Sequence, residues 1–165
     1  MFELKPLSPD SIEPALKKAH RYRLLNEALE AESICRDVLL IDPGNREAQI
    51  TLLLALTDQF ERKLDKFEQA RTLLEELDDG YERVYYDGVI CERRAKTALE
   101  GGGPGSGVVA YGWFREAMER YEAALQLRSP GNDDPTLRWN TCARIINRNP
   151  SVRPEPDDGV QEMLE

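Results

Sequence analysis

The side chains best equipped for chemistry in this chain are one histidine, three cysteines and a few adjacent acids. Their spacing argues against a catalytic centre. His20 is the only histidine, so a zinc site built on two histidines is excluded. Cys35, Cys91 and Cys142 stand 56 and 51 residues apart, too far for a metal knuckle or a redox motif. Each falls within a helical pattern, where a thiol usually packs as a small apolar group. Glu75-Glu76 and Asp78-Asp79 crowd an expected helix end, where carboxylates are solvated surface rather than a general acid and base. The segment from Gly101 to Gly107 invites a phosphate-loop reading. No Lys-Ser or Lys-Thr follows it and no strand precedes it, so it reads as a flexible turn. No enzyme activity, metal or cofactor is expected.

What remains is binding, and composition narrows the partners. A net charge of −9 disfavours nucleic acid and anionic membranes, whose phosphates call for Lys and Arg, and mildly favours a neutral or basic partner. No apolar run approaches a membrane span, the greasiest stretch being Leu52 to Leu56. The N-terminus lacks the basic flank and apolar stretch of a secretory signal, so the cytoplasm is the expected location. A length of 165 residues suits one domain with a continuous core.

Apolar periodicity predicts helices nearly throughout. Ser11 is a candidate cap for a first helix with Ala15, Ala19, Tyr22 and Leu25 on one stripe, and Ala31, Ile34, Cys35, Val38 and Ile41 mark a second, stopped by Pro43-Gly44-Asn45. A third starts at Arg46 and carries Leu52, Leu53 and Leu56. Asp65 with Glu68 forms a capping box for a fourth, expected to bury Phe67, Ala70, Leu73, Leu74 and Leu77 and to end at Gly80. A fifth runs from about Tyr81 to Glu100, a sixth carries Trp113, Ala117, Tyr121, Ala124 and Leu125, and Pro135 opens a last one through Trp139, Cys142, Ala143 and Ile146. The expected layout is an extension over 1–10, a helical domain over 11–149 and an acidic, disordered tail over 150–165. Val160, Met163 and Leu164 in that tail could also serve as a short docking anchor.

The small-residue positions Ala19, Leu53 and Gly88 recur at intervals of 34 and 35 residues. The first unit, closing in Pro43, resembles the tetratricopeptide repeat, whose period is about 34 residues. Its matches are Ala19, Tyr22, Ala31, Cys35, Val38 and Pro43; Lys18 departs from the pattern, and Ala117, Tyr121 and Ala124 match in the third unit. The resemblance implies an all-α fold: a right-handed superhelical solenoid of three antiparallel helix pairs (12–45, 46–80, 81–131) and a closing helix at 134–148. The connection within each unit lengthens along the chain, giving either tolerated loops on one edge or a second interaction surface.

The same resemblance implies noncatalytic protein or peptide binding in a concave groove lined by the first helix of each unit. Carried over by position, that groove holds His20, Arg23, Leu24, Leu54, Asp58, Tyr85, Val89 and Glu92, with Leu137, Asn140, Arg144 and Arg148 from the closing helix. Asn140, Arg144 and Arg148 follow one another at one-turn spacing, which suits either a solvated terminal face or a seat for an acidic or C-terminal carboxylate beside Tyr85. The Lys and Asn clamp by which some family members hold chaperone C-termini is absent, its positions carrying Leu16, His20, Thr51 and Leu54. The alternative is a structural subunit that self-associates or packs into a larger complex.

Overall fold

The computed structural model describes residues 1–61 and 65–156. Among them the chain forms a 3-10 turn at Pro9–Ser11 and seven α-helices, with no strand: α1 Ile12–Leu24, α2 Ala28–Ile41, α3 Arg46–Thr57, α4 Asp65–Glu75, α5 Gly80–Gly101, α6 Ser106–Leu127 and α7 Asp134–Arg148. No helix among the described residues is long and apolar enough to cross a membrane.

The helix ends follow from local chemistry. Asn26 takes the left-handed backbone that closes α1 (φ 60°), while Glu27 N–H donates to the Tyr22 carbonyl at 2.8 Å and Asn26 N–H to that of Arg23 at 3.0 Å. Asparagine tolerates that conformation better than other non-glycine residues. Asn45 caps α3 by accepting from Ala48 N–H at 2.9 Å, and Asp79 caps α5 by accepting from Glu82 N–H at 3.0 Å. Ser11 departs from expectation: it makes no side-chain cap, and its hydroxyl bonds that of Ser8 at 2.7 Å. Helix α4 stops at Glu75, short of Gly80, as the carboxylates that follow oppose the negative end of the helix dipole.

The third unit differs most from expectation. Helix α5 ends at Gly101, within a residue of its expected end, but α6 begins at Ser106, well before Trp113, so two helices of 22 residues each stand in place of a long connecting loop. Only Gly102 to Gly105 turn the chain, with positive φ at Gly102, Gly103 and Gly105.

Two apolar clusters hold the helices. Leu16, Ala19, Ala31, Cys35, Val38, Leu53 and Leu56 lead the first, and Ala95, Phe114, Ala117, Tyr121 and Cys142 lead the second; Leu54 and Tyr86 pack against both. Phe67 of α4 makes edge contacts with Phe60 and with Trp113 of α6, each at 5.7 Å between ring centres. The small slots are filled tightly: a Cβ added at Gly88 would stand 2.6 Å from the Tyr121 ring. Tyr22 and Leu25, assigned to the first stripe, are instead exposed.

The packed body reaches past residue 149. Val152 is buried in the second cluster, and the Ser151 carbonyl lies so close to Gly107 that a Cβ there would collide with it. The remainder of the expected tail, residues 157–165, lies outside the described residues.

Candidate binding groove

Helices α1, α3 and α5 present a line of alternating charge. Arg23 Nε donates to Asp58 Oδ2 at 2.9 Å, and Arg93 approaches Asp58 Oδ1 at 3.3 Å. His20 and Glu47 meet at 2.9 Å between α1 and α3. The structure thus brings together Arg23 with Asp58 and leaves His20 at the exposed edge of the same pair of helices. Leu54 is half-buried beneath them.

Beside this line a cleft of about 800 Å³ opens between the α1–α2 turn, the end of α3 and the flank of α5. Leu24, Asp58 and Arg93 line it, together with Glu27, Leu29, Glu30 and Glu61. Leu24 and Leu29 are 86% and 58% exposed, so apolar surface lies open on its rim.

Two residues assigned to the groove do not reach solvent. Val89 and Glu92 are fully buried, because α6 and α7 cover the face of α5 that carries them. Glu92 accepts from the Tyr121 hydroxyl at 2.7 Å, pairs with Lys96 at 2.5 Å and receives Arg138 on both carboxylate oxygens at 3.3 Å. Burial favours the neutral acid, yet the two cations and the hydroxyl hold its carboxyl below the usual range. Burial and the Glu92 charge together push the Tyr121 hydroxyl up.

The C-terminal assignments separate. Tyr85 stacks on Tyr81 at 5.7 Å, and the arginine beside its hydroxyl is Arg138. Asn140 is half-buried, while Arg144 and Arg148 are exposed and form no ion pair among the described residues. The carboxylate that α7 holds is therefore the protein's own Glu92, gripped by an arginine that sequence reasoning passed over. Arg93 was also passed over, although a signal existed: Arg23 to Asp58 and Asp58 to Arg93 are both 35 residues, the same interval as from Leu53 to Gly88.

The three thiols offer no ready nucleophile. Cys35, Cys91 and Cys142 are buried, and burial pushes each up to about 12. No group of three or more His, Cys, Asp or Glu among the described residues could hold a metal ion.

No family model, curated protein or solved structure matches this chain.

Proposed function

We propose that this protein is a noncatalytic protein- or peptide-binding module of cytoplasmic type, built as a short superhelical stack of tetratricopeptide-like helix pairs. The observation that carries the binding reading is the open cleft of about 800 Å³ with uncovered leucines on its rim. The repeat reading is supported by contacts at one period's separation: Glu32 with Lys66, 34 residues apart, Arg23 with Asp58, 35 apart, and Arg46 with Glu82, 36 apart. Alternate helices meet on either side, α1 with α3 and α3 with α5 through the arginine–aspartate line, α2 with α4 through Glu32 and Lys66. Such pairing is what stacked repeats produce.

Affinity capture followed by mass spectrometry, comparing the wild type with Leu24→Ser/Leu29→Ser, tests this reading. At least one co-purifying protein should be lost selectively from the double variant; equal retention of every protein overturns it. The same leucines would serve a structural subunit that self-associates. Sedimentation over a range of concentrations separates the two, a stable monomer favouring the binding module and an obligate oligomer the subunit.

A further inference from the structure

The cleft beside Arg23 and Asp58 carries two kinds of surface at once. Leu24 and Leu29 stand open on its rim, and Ala28 lines it between them. Around them stand Glu27, Glu30 and Glu61. Asp58 already holds both arginines of the cleft, and these three glutamates make no ion pair among the described residues.

Neither feature is stable in isolation. Exposed leucines lose free energy to water in proportion to their area. The glutamates face one another's charge, and no cation among the described residues pairs with them; Glu27 and Glu30 stand at the start of α2. Beyond the residues that line the cleft, the long α5 brings Glu100 within hydrogen-bonding reach of Glu61, and that contact holds the Glu100 carboxyl above its usual value although Lys96 and Arg93 act against it. A like-charge pair of this kind is relieved by a cation placed between its members.

Resting on the peptide-binding reading above, we infer that the cleft takes a basic amphipathic protein segment, its apolar side chains seated on Leu24 and Leu29 and its Lys or Arg residues opposite Glu27, Glu30 and Glu61. The chain's net charge of −9 steers the same class of partner towards it. The occupant is opposite in character to the acidic terminus that Arg144 and Arg148 suggested, and it binds at the other end of the helix row.

The test is a nuclear magnetic resonance titration of the full chain with three synthetic peptides of equal length. One alternates leucine faces with lysine, a second replaces its lysines by glutamate, and the third keeps the lysines but replaces its leucines by serine. Only the first should shift the backbone amides of Leu24 to Glu30 and Asp58 to Glu61 strongly, with affinity falling as salt rises. Glu27→Lys/Glu30→Lys should weaken it about tenfold or more, whereas Glu75→Lys/Asp78→Lys, the same charge change on another surface, should cost less than about threefold. Leu24→Ser, at a position too exposed to affect folding, should weaken it as well. If the glutamate peptide binds the same amides instead, the cleft still binds peptide and the basic partner is wrong. If none of the three shifts these amides, both readings fall. Equal weakening by the two charge-reversal variants would show that overall charge, not the cleft, attracts the peptide, and would overturn the inference.

Discussion

The Tyr121 hydroxyl donates to the Glu92 carboxylate at 2.7 Å in the interior between α5 and α6, and Glu92 is the most completely enclosed charge among the described residues. Lys96 and Arg138 complete its neutralisation, so three side chains from three helices share one carboxylate. Removing one member leaves the others in low dielectric without compensation. Tyr121→Phe should cost about 1–3 kcal/mol and Glu92→Ala about 3 kcal/mol or more, both read from urea unfolding.

Acid should act through the same group. Glu92 and Glu32 both have folded values below their ordinary ones, Glu32 because Lys66, Gln59 and Arg36 outweigh its burial. A lowered carboxyl adds stability above its unfolded value of about 4.3 and loses it as pH falls through the folded one. Unfolding free energy should therefore decline below about pH 4, and Glu92→Gln should make that decline shallower. An equally steep decline in the variant would place the acid sensitivity elsewhere.

Alkali acts with the opposite sign. The cysteines are raised from 9.0 to about 12, so the stability they contribute is complete below pH 9 and lost as pH rises towards 12. Ellman's reagent at pH 8 should leave the native protein unmodified and label all three thiols once urea unfolds it.

Gly88 is a contact residue rather than a turn residue. Gly88→Ala drives a methyl group to within 2.6 Å of Tyr121 and should lower stability by about 1–3 kcal/mol, as overpacking does. Tyr121→Leu in the same chain should suppress part of that loss, which a double-mutant cycle on thermal unfolding would measure.

The C-terminal edge offers a separate check. Gly107→Ala should push Ser151 and Val152 away from the start of α6, and Val152→Ala should be destabilising by about 1–2 kcal/mol through lost burial. Hydrogen exchange at the Val152 amide, which donates to the Asn149 carbonyl at 2.9 Å, should speed up in Gly107→Ala and remain unchanged in Gly112→Ala, where a Cβ meets open space.

Periodicity made the helices and most of the core legible. Ala31, Ala70, Ala117, Tyr121 and Ala124 fall on apolar helical stripes, Ala19, Leu53 and Gly88 on the small-residue slot that the resemblance implies, and all are buried. Of the residues that the resemblance sets on one groove, Arg23 and Asp58 meet in an ion pair. Glu92 misled because a charged residue on an amphipathic stripe looks exposed unless its cations are known, and one of them, Arg138, lies 46 residues away. Tyr85, expected to give apolar contact beside Arg144 and Arg148, has Arg138 as its neighbour on α7. The Gly-rich segment was read as a broad break because glycine is a poor helix former, whereas packing between two long helices outweighs that local cost at Gly101 and Gly107.

The four-residue turn at Gly102–Gly105 joins the two longest helices, which also share the most extensive contact of any pair among the described residues. Bringing neighbours together across so short a connection sacrifices little chain freedom, and contacts local in sequence form fastest. Order is therefore expected to begin in this hairpin and to spread towards the N-terminus, with α1 the last helix to settle. Slowed refolding in Ala110→Gly, with little change in Ala15→Gly, would be its kinetic mark.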